Sequence, residues 1–255
     1  MYNYKLYQNM RNQKWHRDEI ILALELYFNP NRGSIDSRNP NIIELSEILN
    51  KLPIFANKPE NEKFRNPNGV SLKMSNFLAI DPTYHGKGMA AYSKLDKVVF
   101  HDFYNDRQRL NKVARAIKLI TENKLLSEQL RRIEFDEASY LDSVQEGQVL
   151  YKLHKYRERN NKIVEAKKNS VLKVKGRLSC EVCDFDFEKD FGIIGAGFIE
   201  CHHTKPLSNY NNTSETKLED LSLVCSNCHR MLHRKIDTLT ISDLKKIKVT
   251  AINSL

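Results

Sequence analysis

The sequence lacks any apolar run that could cross a membrane. A membrane-spanning helix needs about 20 predominantly apolar residues, and no stretch of this chain approaches that length. The N-terminal segment MYNYKLYQNMRNQKW also lacks the apolar core of a secretory signal. Apolar residues still make up 40% of the 255 residues, which is typical of a globular protein with one large or two modest domains. We therefore expect a cytoplasmic protein with no membrane partner.

Cysteine is absent from the first 179 residues, and all five cysteines follow. Four of them form two Cys-x-x-Cys pairs, CEVC at 180–183 and CSNC at 225–228. In a reducing cytosol such pairs favour a metal over a disulfide, although a single pair could be a coincidence or a redox site. Four thiolates in tetrahedral geometry make a closed structural zinc site. We predict that Zn²⁺ is bound by Cys180, Cys183, Cys225 and Cys228, and that Cys201 is an ordinary packed thiol.

Acidic residues are fewer than basic ones, 32 against 41, which gives a net charge of +9. The segment 145–177 holds ten basic and three acidic residues, and therefore most of the excess. The basic residues are Lys152, Lys155, Arg157, Arg159, Lys162, Lys167, Lys168, Lys173, Lys175 and Arg177. Such a stretch is either a solvated helical face or a surface that follows nucleic-acid phosphates. Its position next to a candidate site favours the second interpretation.

Helical periodicity dominates the first half of the chain. Apolar residues recur at helical spacing in WHRDEIILALELYF, in NPNIIELSEILNKLP and in a third segment that starts near Asn68. Three short helices suggest a helix-turn-helix-like bundle, although any small helical domain would share the pattern. On the side of the third helix away from its apolar stripe we expect DNA-contacting side chains, namely Ser71, Lys73, Ser75 and Asn76.

The pattern changes after Gly176, where β-branched residues, glycines and cysteines occur together. We therefore expect an α+β fold with three parts. Residues 1–95 form a helical DNA-recognition domain, 96–175 a helical connector with the basic stretch, and 176–255 a zinc-stabilised domain.

Histidines supply the remaining candidate site. His202 and His203 are adjacent, so on a strand their side chains would point to opposite faces and could not do the same work. His229 and His233 are four residues apart, which places both on one helix face. A two-Cys, two-His zinc finger is excluded, because it needs about a dozen residues between its pairs. The sequence predicts a second metal site, made of histidines, with room for water and substrate.

These motifs carry a family resemblance. IECHHTKPLS, LEDLSLVCSNCHRMLH and the upstream CEVC resemble the HNH (ββα-metal) nuclease module of restriction-type endonucleases across about 178–234. The helical segments of the N-terminal half are similar to the leading domain of such restriction endonucleases. The resemblance implies a strand–loop–strand–helix order with one catalytic divalent cation, Mg²⁺, Mn²⁺ or another transition metal.

The resemblance also implies a role for each site residue. His203 corresponds to the general base that deprotonates water, and His202 and His229 correspond to ligands of the catalytic metal. His233 would be a further ligand or else a phosphate contact. Asp220 occupies the position of the family's asparagine, which orients the histidine-bearing loop. An aspartate can accept the same hydrogen bonds but cannot donate as an amide does.

The function that follows is metal-dependent hydrolysis of DNA phosphodiester bonds, in a restriction or defence enzyme that acts most simply as a homodimer. Lys205 and Arg230 are candidate phosphate contacts. Whether the target carries methylated cytosine stays open. The alternatives are a zinc-stabilised DNA-binding protein without catalysis and a structure-selective nicking nuclease.

Overall fold

The computed structural model describes residues 13–55, 62–86, 91–133, 147–158, 160–205, 216–234 and 239–253. The chain divides into two compact units, one of 1–132 with 147–149 and one of 133–146 with 150–255. Within the described ranges, no helix has both the length and the apolar character needed to span a membrane.

Helices make up the first unit. In the part of the chain that the structure describes they are α1 (Arg17–Phe28), α2 (Pro40–Lys51), α3 (Pro67–Leu78), α4 (Lys94–Tyr104), α5 (Arg107–Glu122) and α6 (Lys124–Arg131). The starts of α2 and α3 follow the same local rule. Asn39 and Asn66 cap them by accepting backbone hydrogen bonds, and each cap is followed by a proline at the first helical position.

Two capping side chains separate the consecutive helices α4, α5 and α6. The Asp106 carboxylate accepts a hydrogen bond from the backbone N–H of Arg109 at 2.9 Å. The Asn123 amide oxygen accepts one from the N–H of Leu126 at 3.0 Å. Because both caps satisfy backbone donors that a continuous helix would pair internally, the chain starts a new helix at each.

The core of the first unit is built around α1. Residues 20–24 of this helix are fully buried, because α2, α3, α4 and α5 all pack against it. Aromatic rings of α3 and α4 join this core, with the Phe77 and Phe100 ring centroids 6.3 Å apart and Tyr27 of α1 in contact with both. Buried charge is paired: the Arg65 guanidinium donates to both carboxylate oxygens of Glu19, at 2.6 and 2.8 Å.

Lys73 lies inside this unit, not on a DNA-facing surface. Its side chain is only 6% exposed, and Nζ donates to the two carboxylate oxygens of Asp96 at 2.7 and 2.9 Å. Asp96 also accepts from the backbone N–H of Ser93 and so caps α4. A lysine held in this way is not free to contact a phosphate, so the prediction that Lys73 contacts DNA is corrected.

Replacing Lys73 by methionine is expected to lower the free energy of unfolding by about 3–5 kcal/mol, because it leaves the Asp96 carboxylate buried without its cation. Urea unfolding followed by circular dichroism measures this loss. The matched control is Arg38→Ala, which removes an ion pair with Asp36 from a side chain that is 91% exposed, and no measurable loss is expected. A Lys73 variant as stable as the control would contradict the structural role.

The second unit combines helices with a small sheet. Its described elements are α7 (Gln148–Glu158), α8 (Asn161–Lys175), α9 (Phe187–Phe191), β1 (Glu200–His203), β2 (Leu221–Val224), α10 (Ser226–His233) and α11 (Ile241–Asn253). The first two residues of α7 belong to the first unit.

Strands β1 and β2 pair antiparallel, with Glu200 opposite Val224 and His203 opposite Leu221. Helix α10 follows β2 after a single residue and packs against β1. The order is therefore strand, strand, helix. This confirms the predicted α+β fold, a mostly helical N-terminal part followed by a ββα domain.

Two small apolar clusters stabilise the second unit. One surrounds the thiols and includes Cys180, Val224, Cys225, Cys228, Leu232 and Leu244. The other lies on the sheet and includes Leu178, Ile199, Cys201, Leu221 and Leu223. Cys201 is thus a packed thiol, as predicted, and burial raises its pKa to about 11.

Candidate metal centre and active site

Strand β1 places the two adjacent histidines. His202 lies opposite Ser222 and His203 opposite Leu221, and both imidazoles are buried. Because neighbouring side chains alternate across a strand, the two rings have different surroundings. His202 joins a group of ligand-type side chains from which His203 is absent.

Helix α10 supplies two more histidines to that group. Its N-cap is Cys225, whose sulfur accepts a hydrogen bond from the backbone N–H of Cys228. The helix then presents His229 and His233 one turn apart, and their Nε2 atoms are 2.9 Å from each other. Both nitrogens can reach a single ion at that separation, because metal–nitrogen bonds are about 2.0–2.1 Å long.

Helix α7 contributes two residues that the sequence did not identify as site residues, His154 and Glu158. They are one helical turn apart, with His154 Nε2 2.6 Å from Glu158 Oε1. The same carboxylate oxygen lies 2.8 Å from His229 Nε2. It also lies 3.4 Å from both His202 Nδ1 and His233 Nε2. One oxygen of Glu158 therefore faces four imidazole nitrogens.

These five side chains fit a metal ion. Each offers one ligand atom, and the five atoms lie within 4.8 Å of one another. Imidazole nitrogens combined with a carboxylate suit a divalent transition metal. The residues of the group are His154, Glu158, His202, His229 and His233.

The charges of the group are arranged for a cation. Burial opposes the charge on Glu158, but contacts with His154, His202 and His229 hold its pKa well below the usual range. Burial also opposes charge on His229, but hydrogen bonds to Glu158 and Glu200 raise its pKa to about 9. A metal ion and a proton compete for the same nitrogen lone pair. The Glu158 carboxylate, kept anionic among the imidazoles, therefore suits a bound cation.

Glu200 orients one of these ligands from outside the group. Its Oε2 accepts a hydrogen bond from His229 Nδ1 at 2.5 Å, and its Oε1 accepts one from the Ser226 hydroxyl at 2.5 Å. A carboxylate on Nδ1 fixes the imidazole ring and leaves Nε2 to bind the metal.

Removing this orienting contact in Glu200→Ala is expected to weaken metal binding at the histidine group by about 10–100-fold, as measured by isothermal titration calorimetry. Glu200→Gln keeps an acceptor oxygen and is expected to lose less affinity than the alanine variant. Glu165→Ala, at a side chain that is 62% exposed, serves as a control with unchanged affinity. Equal affinity in Glu200→Ala and wild type would contradict the orienting role.

His203 is buried, yet neither of its ring nitrogens has a hydrogen-bond partner among the described residues. Its ring lies beside that of His154, with centroids 5.9 Å apart. Burial, followed by the nearby His154, lowers its pKa to about 4. His203 is therefore neutral at pH 7 and has a lone pair available for a proton.

Asp220 contacts the residues at the end of β1. Its backbone carbonyl accepts hydrogen bonds from the N–H and the hydroxyl of Thr204, at 2.8 and 3.1 Å. Its carboxylate accepts one from the Lys217 N–H at 3.1 Å and pairs with Lys205 Nζ at 2.7 Å. Asp220 thus fixes the residue directly after His203, and it does so through its main chain.

The four cysteines of the two Cys-x-x-Cys pairs converge on a separate site. Their sulfurs lie within 4.8 Å of one another, and Cys183 Sγ is 3.7 Å from Cys225 Sγ. Sulfurs bound at about 2.3 Å to a tetrahedral zinc are separated by roughly 3.8 Å, so the spacing suits zinc. All four are free thiols. The cluster supports the predicted zinc site.

The other predicted DNA contacts do not belong to the group of ligand-type side chains. Ser71 and Ser75 are half-buried on α3, and their hydroxyls donate to backbone carbonyls of the same helix. Asn76 is half-buried on the same helix, while Lys205 and Arg230 are exposed in the second unit. Lys205 and Arg230 lie close in sequence to His203 and His229, and neither belongs to the five-residue group.

A comparison with known families identifies the domain. The family model described as HNH endonuclease matches residues 180–235, which contain both cysteine pairs, β1, β2 and α10. His154 and Glu158 lie outside the matched segment. No curated protein and no solved structure matches the chain. Residues 180–235 therefore form an HNH endonuclease domain, and the chain carries the nuclease module that its motifs resemble.

Proposed function

We propose that this protein is a metal-dependent DNA endonuclease that hydrolyses phosphodiester bonds. One observation carries the proposal: His202, His229 and His233 converge on a single point, while the neighbouring His203 remains buried without a hydrogen-bond partner among the described residues. A domain that only binds DNA has no need for an unpartnered imidazole beside a group of metal ligands.

The residues divide the chemistry between them. His203 accepts the proton of a water molecule as the water oxygen forms its bond to phosphorus. The bond from phosphorus to the leaving sugar oxygen then breaks, and that oxygen takes a proton from solvent. His202, His229 and His233 would hold the divalent cation, which when bound neutralises charge on the phosphate and on the leaving oxygen. Asp220 holds Thr204, the residue directly after His203, in place.

Helix α8 is the proposed surface for neighbouring phosphates. None of its side chains is buried, and its lysines Lys162, Lys173 and Lys175 are exposed. Lys167 and Lys168 instead donate to the backbone carbonyls of Leu218 and Gly197, and thereby attach α8 to the nuclease domain.

Two members of the predicted basic stretch cannot be assigned to this surface. Lys152 is buried, with 3% exposure, and does not contribute to it. Arg159 lies outside the described residues. Exposed lysines attract DNA phosphates electrostatically, and this attraction raises the affinity for DNA without selecting a sequence.

The biological role that we propose is restriction or defence. The N-terminal helices would select the DNA, through α3 side chains other than Lys73, and the HNH domain would cut it. A chain with one active site cuts both strands most simply as a homodimer. The proposed target is either unmodified DNA or DNA that carries methylated cytosine.

Plasmid cleavage tests the proposal. Unmodified and cytosine-methylated plasmids are incubated with the protein and Mg²⁺ or Mn²⁺, with and without a chelator. Linear products that disappear with the chelator are expected, and cutting of the methylated plasmid alone would establish modification dependence. Nicked circles alone would indicate a nicking nuclease. Intact DNA binding without cleavage of either plasmid under any of these metals would instead favour the non-catalytic DNA-binding protein.

A further inference from the structure

Helix α7 fills the metal centre with more donors than a hydrolytic site uses. Three histidines of the HNH domain already face one point, and α7 adds the His154 imidazole and the Glu158 carboxylate. Catalytic zinc sites keep three protein ligands and an open position for water or substrate. Four imidazoles and a carboxylate would fill even a five-coordinate ion. A centre with all five donors bound is closed to a phosphodiester.

Glu158 is the donor that is easiest to remove. It is the last residue of α7, where the partial negative charge of the helix C-terminus disfavours an anion. Its side chain is 11% exposed, whereas that of His154, on the same helix, is 3% exposed. Within the five-residue group it is also the only anionic oxygen donor, so it is the one that a phosphate oxygen replaces without a change of ligand charge or type.

We propose that Glu158 is an exchangeable ligand, which closes the catalytic metal centre at rest and gives up its coordination position to a phosphate oxygen of the substrate. That this phosphate belongs to DNA rests on the function proposed above. His154, whose side chain is 3% exposed, would remain one of the donors. The carboxylate thereby protects the centre from loss of metal and from stray anions until a substrate arrives.

Cobalt binding to the full chain tests the exchange without measuring cleavage. The thiolate site is kept loaded with zinc, and Co²⁺ is titrated into the histidine centre by its visible absorption. In Glu158→Ala, we expect Co²⁺ to bind at least about 10-fold more weakly than in wild type, because one direct ligand is lost. In the same variant, inorganic phosphate added to the cobalt-loaded protein is expected to shift the spectrum at a concentration at least about 10-fold lower than in wild type.

Two results would overturn the proposal. Unchanged cobalt affinity and spectrum would show that Glu158 is not a ligand. Weaker cobalt binding without tighter phosphate binding would show that it is a permanent ligand. Glu158→Gln, which keeps the size of the side chain, replaces the alanine variant if that variant does not fold, and the exposed Glu165→Ala is the control. If the expected shifts occur and plasmids remain uncut, the exchange stands and the nuclease proposal fails.

Discussion

Replacing His203 by alanine is expected to lower the rate of DNA cleavage by about 10²–10⁴-fold, the usual contribution of a general base. The metal content and the affinity for DNA should stay near those of the wild type, because His203 is absent from the group of ligand-type side chains. Single-turnover cleavage of a plasmid, together with metal analysis and a DNA-binding assay on the same preparation, measures all three quantities.

His202→Ala separates the two roles assigned to the adjacent histidines. It removes a member of the five-residue group, so both metal affinity and cleavage are expected to fall. His85→Ala changes an exposed loop histidine and should leave both unchanged. Cleavage retained in His203→Ala would remove His203 as the base. A parallel loss of metal in His203→Ala would assign it to the metal centre instead.

The thiolate site and the shared face of His229 and His233 could be predicted because their signals are local. Two Cys-x-x-Cys pairs define four ligands by spacing alone, and histidines four residues apart lie on one face of any helix. The strand alternation at His202 and His203 is equally local. Such features need no knowledge of which elements pack together.

His154 and Glu158 were missed because their role depends on tertiary packing. They show the same four-residue spacing as His229 and His233, and that spacing was the available signal. In the sequence, however, they lie inside a basic stretch, where Glu158 reads as one of a few acidic residues on a solvated helix. Only the position of α7 within the second unit shows that both side chains face the histidines of β1 and α10.

Lys73 illustrates the opposite error. Helical spacing puts Lys73 beside serines on a polar side of α3. In the structure its side chain is buried, as is that of the neighbouring Met74, whereas Leu72 is exposed. The Asp96 carboxylate at the start of α4, 23 residues later, makes its burial possible. A buried charge is tolerated when its partner is in place, and periodicity in one helix carries no information about a partner in another.

Replacing Cys225 by serine is expected to remove the bound zinc and to unfold the nuclease domain. Structural zinc contributes on the order of 10–16 kcal/mol to the folding of small zinc domains at neutral pH, because the site does not exist in the unfolded chain. That exceeds the total stability of about 5–15 kcal/mol typical of a whole protein. The apolar cluster around the thiols is small and includes the thiols themselves, so it cannot replace the metal.

The effect should extend from the thiolate site to the histidine centre. Cys225 is the N-cap of α10, and the same helix carries His229 and His233. When the cap and the zinc are lost, the two histidines are no longer held on one face beside His202. We therefore expect Cys225→Ser to lose metal binding at both sites. Hydrogen exchange should increase throughout α10 and the two strands, while helices α1–α6 remain protected.

Cys201→Ser is the matched control, since it makes the same substitution at a buried thiol of the neighbouring cluster. This variant should keep one zinc per chain and a protected α10, with only the modest loss of stability that a buried hydroxyl causes. Zinc analysis and hydrogen exchange on the two variants distinguish loss of a ligand from loss of packing. A Cys225→Ser protein that retained its zinc and a protected α10 would show that three thiolates suffice. The coupling of the histidine centre to the zinc site would then fail as well.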